Sequence, residues 1–285
     1  MTCAIAIINW NSGRWLRTCV ESLLATTITA EILVIDNASD DASLESVRRF
    51  ANRVHFVRNS VNRGFAAAVN QAFRGTSSPY VLILNPDVRA LPGAVQLLED
   101  FMDTHPRVAA VGGYTGEKYL PKALPTITTL VRENLGCPIA VPAAYDRRQT
   151  DGHTPLQVDQ PAAAALMIRR DAHDDVDGFD EHFYPAWYED VDFCRRLKAK
   201  GWEIYFIPDA QFLHEGGYSV EAMGRPDFLR SYYVNQLRYA TKHFGQFGAA
   251  AVRASIMAGM IERMIGRPKQ AVAYGRAFIG ALKGR

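Results

Sequence analysis

Three groups of residues in this 285-residue chain have the types and spacing to do chemistry. The uncharged, strand-forming run 80–84 stops abruptly at Asn85-Pro86-Asp87. A buried strand ending in a carboxylate delivers that charge to the ligand-binding edge of an open α/β sheet. Glu189, Asp190 and Asp192 open a stretch with helical spacing (Val191, Cys194, Leu197, Lys198) that Gly201 closes, directly behind Trp187 and Tyr188. Acids favour helix N-termini, and Asp192 has Arg195 or Arg196 within pairing distance along the helix. An acid pair behind two aromatics also suits a general base at the wall of a sugar site. His214 follows this helix by one strand and stands just before Gly216-Gly217; His55, His105 and His243 lack such company and read as structural.

The elements that must position these groups alternate between strand-like and helix-like patterns over the first ~110 residues, which predicts a parallel sheet with crossover helices. Strands are expected over 4–8, 31–35, 54–57, 80–84 and 107–112, with helices over 15–24, 42–50, 62–73 and 91–103. The strands end at one edge in Asn9 and Asn11, Asp36 and Asn37, Asn59 and Asn62, and Asn85 and Asp87. Asn and Asp are good turn residues, but their recurrence at one edge reads as a lined pocket. Asp36 has the chemistry to accept a pyrimidine ring N–H, and 62–64 at a helix start offers backbone N–H groups to a phosphate. Neither G-x-G-x-x-G after the first strand nor a P-loop occurs, which disfavours those two modes of nucleotide binding. Residues 114–160, rich in Pro, Gly and Thr and including Pro121, Pro125, Pro138, Pro142 and Pro155, read as a functional loop or lid. Strand-like segments return at 162–169 and 202–207.

Composition bounds the rest. Hydrophobic content is 48%, as in a folded globular protein. Cys3, Cys19, Cys137 and Cys194 are scattered, which predicts no zinc site or disulfide framework and fits a reducing compartment. No signal peptide and no membrane-spanning run are expected from the pattern. The net charge of +2 is uneven: 225–285 holds 11 Lys/Arg and two acids, net +9, leaving −7 on 1–224.

In order along the chain, A-I-I-N-W-N, V-I-D-N-A-S-D, N-R-G-F-A-A-A-V-N, L-N-P-D, W-Y-E-D-V-D-F-C-R-R-L-K-A-K-G-W and H-E-G-G resemble the family 2 glycosyltransferases, and among them the rhamnosyltransferase-like branch. The resemblance covers 1–224 and implies a GT-A fold: α/β, with a mainly parallel central sheet. The sequence then divides into a nucleotide-sugar-binding half (1–113), an acceptor and catalytic half of the same domain (114–224), and a basic amphipathic helical tail (225–285). Carried over residue by residue, it implies that Asn9, Asn11, Asp36, Asn37, Asn62, Arg63, Gly64 and Asn85 bind the nucleotide, with Asp36 on the pyrimidine. Asp190 is implied as the catalytic base, supported by Glu189, Asp192 and Trp187. Asn85-Pro86-Asp87 stands where the family usually has Asp-x-Asp, so Asp87, with His214, is implied to hold Mg²⁺ or Mn²⁺ on the donor diphosphate. Asn85 departs from that pattern: an amide oxygen ligates a hard cation without bringing charge.

The expected activity is inverting, metal-dependent transfer of a sugar, by resemblance L-rhamnose from dTDP-rhamnose, to a glycan or polyprenyl-diphosphate-linked acceptor in cell-envelope polysaccharide synthesis. A non-catalytic sugar-nucleotide or glycan-binding module is the alternative; a nucleotidyltransferase would need a Gly-rich phosphate loop after the first strand. The tail has two readings. Its helices pack on the body or on a second copy as a homodimer, or they lie on an anionic membrane surface, making the protein cytoplasmic and peripheral on the inner face of the cell membrane. Its apolar faces do not resemble a nucleic-acid groove reader.

Overall fold

The computed structural model describes residues 3–26, 29–138 and 152–283, with the backbone alone at Ser219. The part of the Pro-rich loop over 139–151, Pro142 included, lies outside the described residues.

Four parallel strands form the first half of the sheet in the order β3 (His55–Arg58), β2 (Glu31–Asp36), β1 (Cys3–Asn9) and β4 (Tyr80–Leu84). Helix α1 (Trp15–Leu24), the 3₁₀ turn Glu45–Phe50 and α2 (Phe65–Gly75) make the crossovers. The period-2 alternation of β1 serves two cores. Cys3, Ile5 and Ile7 pack with Leu16 and Cys19 of α1. Ala4, Ala6 and Ile8 pack with Ala66, Val69 and Phe73 of α2. A strand covered on both faces therefore reads as a continuous apolar run.

Beyond β4 the sheet becomes mixed. β8 (Ala165–Arg169) lies antiparallel to β4, followed by β6 (Val108–Tyr114), β9 (Glu203–His214) and β5 (Val88–Ala90). β8 arrives from the loop at the ligand edge, where the Asn85 N–H donates to Ala164 O (3.0 Å), so it must run back along β4. α3 (Ala94–Thr104) joins β5 to β6. Expected as 202–207, β9 instead extends to His214, and the three-residue β5 pairs its last residue with Val88. Inside the segment read as irregular, α4 (Ile127–Asn134) is nucleated by a reciprocal Thr126–Thr129 capping box. β7 (Leu156–Gln157) adds to β9, and α5 (Arg170–Asp175) follows β8.

After α6 (Glu189–Ala199) and β9 come α7 (Tyr218–Met223), α8 (Arg225–Gly266) and α9 (Ala271–Lys283). α8 breaks at Gly245, whose φ of 66° and ψ of −172° belong to a region open essentially to glycine alone. A third core binds these helices to the body: Phe183, Tyr188 and Val191 pack with Leu229, Tyr233 and Tyr239, and with Val252, Ile256 and Met260. The basic tail is thus structural material of the molecule, with Ala273, Tyr274 and Ala277 of α9 in the same core. The expectation that no stretch is apolar and long enough to span a bilayer is revised at α8. It meets that condition by length and composition, with a mean hydropathy of 1.2 over 18 residues, although 39% of that window is buried inside the molecule. Interrupting charges and the kink hid this from a reading of contiguous runs.

Candidate active site

The strand ends meet in a dense polar network. Asn9 Nδ2 donates to Asp36 Oδ1 (2.7 Å), Ser39 Oγ (3.1 Å) and Ser43 Oγ (3.0 Å), and its Oδ1 accepts from the Ser12 hydroxyl. Asp36 Oδ2 accepts the Ser39 N–H (3.2 Å) and lies 3.6 Å from Arg58 Nε. Asp36 is fully buried, so its carboxylate sits beneath the 37–41 loop and organises it, rather than standing on the surface. Asn11, at φ 48°, ties to the same loop through Ser39 Oγ (2.9 Å) and the Asp40 N–H (2.9 Å).

Asn37 carries the network to the start of α2. Its Nδ2 donates to Gly64 O (3.0 Å), and its Oδ1 accepts from Asn59 Nδ2 (2.9 Å) and the Arg63 N–H (3.4 Å). Asn62 Oδ1 accepts the Gly64 N–H (2.8 Å), while the Arg63 side chain is exposed. Gly64 has φ 85°, and a Cβ there would meet Tyr184 Cδ2 at 2.9 Å and Pro185 O at 3.1 Å. The Phe65 N–H donates to Pro185 O (2.7 Å). The glycine therefore lets the 62–64 turn touch the loop that leads into the acids.

That loop is strained and clamped. Trp187 (φ 75°) and Tyr188 (φ 72°) both adopt left-handed backbone, costly for bulky residues and concentrated where function holds a chain in place. Asn235 of α8 holds it, donating to Ala186 O (2.8 Å) and Tyr184 O (3.3 Å). Trp187 packs edge-on to Phe228 at 4.8 Å, and buried Tyr188 accepts from Gln236 Nε2 (2.9 Å).

The three acids that follow have three different environments. Asp192 is fully buried and accepts from Arg196 Nε (2.7 Å), Lys242 Nζ (2.8 Å) and His243 Nε2 (2.8 Å). Burial alone would raise its carboxyl, but His243, Arg196 and Lys242 together hold it below its ordinary range. It ties α6 to α8 and faces no opening. Glu189 is buried with Oε2 unpartnered; burial, then the charge of Asp190, pushes its carboxyl well above the usual carboxylate range. Asp190 stays partly exposed, with Oδ1 accepting the Val191 N–H (2.8 Å) and Oδ2 accepting from Gln160 Nε2 (3.2 Å). Burial raises it, while the Val191 and Gln160 hydrogen bonds and the Lys122 charge oppose that rise.

At the other end, Asp87 Oδ1 lies 3.3 Å from His214 Nε2, both side chains 7% exposed. Pairing of β5 with β9 sets Val88 opposite His214, and the Glu215 N–H donates to Asp87 O (3.2 Å). His214 Nδ1 is buried without a hydrogen-bond partner. The Tyr119 ring lies 4.4 Å from the imidazole, and Tyr119 Oη occupies the place a Cβ on Gly216 would need, 1.8 Å away. An Asp and a His so close have the donor atoms to share one divalent cation, although the second ring nitrogen lacks the hydrogen bond that usually orients a ligating histidine. Among the described residues no group of three or more His, Cys, Asp or Glu is placed to hold a metal ion.

The loop after β6 links the two ends. Tyr119 covers His214; three residues on, Lys122 pairs with Gln160, whose side chain holds Asp190; and Ala164 meets the backbone of Asn85. Tyr119, Lys122, Gln160 and Asn235 were not anticipated from sequence, having no motif and depending on contacts across 30 residues or more. A cavity of about 820 Å³ lies elsewhere, lined by Arg74, His173, Asp177 and Lys242 among others and by none of the anticipated site residues.

Residues 4–176 match the family model described as glycosyl transferase family 2. A relative from Mycobacterium tuberculosis, N-acetylglucosaminyl-diphospho-decaprenol L-rhamnosyltransferase, is 26% identical over 305 residues, covering 95% of this chain and 98% of its own length. Among solved structures, GalNAc-T7 with UDP, GalNAc and Mn²⁺ superposes with a TM-score of 0.62 at 16% identity, over 86% of this chain; the chain spans about half of it, 51%. The mannosyltransferase PcManGT from Pyrobaculum calidifontis, in complex with GDP-Man and Mn²⁺, gives 0.62 at 14% identity, over 99% of this chain and 86% of that one.

Proposed function

The chain belongs to glycosyltransferase family 2 and has the GT-A fold, and from that premise we propose that it transfers L-rhamnose from dTDP-rhamnose, with inversion, to a polyprenyl-diphosphate-linked sugar at the inner face of the cell membrane. The observation that carries the reading is Asp190: a partly exposed, upward-shifted carboxylate, aimed by Gln160 and fixed behind a strained aromatic turn. Likeness to the mycobacterial rhamnosyltransferase over nearly its whole length supports the choice of sugar and acceptor.

In this reading Asp190 takes the proton of the acceptor hydroxyl as that oxygen attacks the anomeric carbon. Trp187 and Gln160 bound the acceptor side, and Glu189, its carboxyl raised by burial and the Asp190 charge, lies behind the base. The turn at Asn62–Gly64 and the Asn9–Asp36–Asn37 network hold the nucleotide side, with Asn85 beside Asp87. Asp87 and His214 are the residues for Mg²⁺ or Mn²⁺, which when bound neutralises charge on the leaving diphosphate. One base on the acceptor side with departure on the other face gives inversion. Asp190→Asn is expected to lower turnover by ~10²–10⁴ while donor-induced thermal stabilisation persists. Near-normal turnover would remove Asp190 from this role, and NMR of the product showing retained anomeric configuration would refute direct displacement. A non-catalytic binding module would show donor stabilisation and no transfer in the unaltered protein.

A further inference from the structure

α8 presents two faces after Gly245. One carries Val252, Ile256 and Met260, all buried in the third core. The other carries Phe247, Ala250, Ala254, Ala258, Ile261 and Ile265, all exposed; Phe247 is 96% and Ile265 77% exposed. These six fall at spacings of 3 and 4, a single stripe running roughly 28 Å along the helix. No Lys or Arg interrupts it. α9 packs alongside, its C-terminal end reached by Arg253, which donates to Leu282 O (3.4 Å). On its exposed positions α9 interleaves Val272, Ile279 and Leu282 with Arg276 and Lys283. From 246 to 283 there are six Lys/Arg and one acid, Glu262.

We propose that this face, the Phe247–Ile265 stripe with the exposed side of α9, lies on an anionic lipid surface. An apolar strip flanked by cations is the pattern of a helix resting in the headgroup region, with basic side chains reaching the phosphates. Charge decides between lipid and the other occupant of such a face, a second copy of the chain. A symmetric dimer would set two segments of net +5 against each other, whereas anionic lipid neutralises them. Because the opposite face of the helix is committed to the third core, the contact is interfacial rather than spanning. Before the kink α8 carries no such apolar stripe: Leu229, Tyr233, Leu237 and Tyr239 are buried, and the exposed positions are Arg225, Asp227, Arg230, Thr241 and Lys242.

The inference stands on this face alone and does not need the donor or acceptor assigned above. The test is flotation of the full chain with vesicles of phosphatidylglycerol and phosphatidylcholine against phosphatidylcholine alone. Binding to the anionic vesicles is expected to be stronger by roughly tenfold or more. The triple variant Phe247→Asp, Ile261→Asp, Ile265→Asp, and separately Lys269→Glu, at the exposed turn between α8 and α9, with Lys283→Glu, should each lower it by about tenfold or more. Unchanged thermal melting would establish that both variants fold, and unchanged donor-induced stabilisation would separate this face from the transferase site. Absence of anionic-vesicle binding, or variants that bind as the unaltered chain does, would overturn the proposal. So would light scattering that finds a dimer broken by the triple variant while vesicle binding is unaffected.

Discussion

Glu189 and Asp190 are adjacent carboxyls whose surroundings separate their behaviour. Glu189 is enclosed with an unpartnered oxygen, and burial followed by the charge of Asp190 raises its carboxyl strongly. Asp190 is raised less forcefully, is partly exposed, and receives hydrogen bonds that favour its charged form. On the proposed reading, two neighbouring acids in such unlike settings divide the roles of proton holder and proton acceptor. A carboxyl whose folded pKa lies above its unfolded value contributes stability that is complete below the unfolded pKa, about 4.3 for Glu. That contribution is lost as pH rises through the folded value, because the unfolded chain releases the proton first. Glu189→Gln removes this titration. Its melting temperature relative to the unaltered protein is expected to increase between pH 4 and pH 8, read by thermal melts across that range; a constant difference would show that Glu189 does not titrate on unfolding.

At the scale of elements, α6 depends on α8. Asp192, itself out of solvent, gathers Arg196 from its own helix and the partly exposed Lys242 and His243 from α8. Removing one partner of a buried charge cluster leaves the others uncompensated, so Asp192→Ala is expected to cost about 3–5 kcal/mol in urea unfolding. The sign with pH is opposite to that of Glu189. Asp192 has a lowered carboxyl, so its contribution is present above the unfolded value of about 3.9 and is lost as pH falls through the folded one. The deficit of the variant should therefore shrink in acid. A deficit that is equal at pH 3 and pH 7 would remove Asp192 as the tie. Asp192 thus holds the helix that carries Asp190 in its first turn.

For the whole molecule, the C-terminal helices are part of the body. Asn235 clamps the turn before the acids, Gln236 bonds to Tyr188, and Tyr233, Tyr239, Val252 and Ile256 complete the third core around Phe183 and Val191. A chain ended at Gly224 would uncover that core and release the strained Trp187–Tyr188 turn. It is expected to lose cooperative unfolding, or to melt far below the full chain, and to lose transferase activity, measured by calorimetry and turnover. A truncated chain that melts as sharply and as high as the full one would show the helices to be an appendage. α8 thus holds the Trp187–Tyr188 turn before its kink at Gly245 and packs into the third core after it.

The sequence by itself determined the local features. The apolar runs of β1, β2 and β4 placed Asn9, Asp36 and Asn85 at one edge, because a strand of that length buried on both faces needs no distant partner to be recognised. Glu189–Asp192 as the first turn of a helix, and Asp87 and His214 as chemistry-bearing residues, followed from residue order and spacing. Tertiary structure alone decided which side chain faces what. Asp36 went beneath its loop, Asp192 into a tie between helices, and Asp190 to the open position, although the two aspartates stand two residues apart on one helix turn. Gln160 and Asn235 entered the site from 30 and 49 residues away along the chain, and the antiparallel β8 brought Ala164 to Asn85. Contacts of that separation carry no local periodicity or propensity. They depend on which surfaces meet once the cores have packed, so only the folded chain records them.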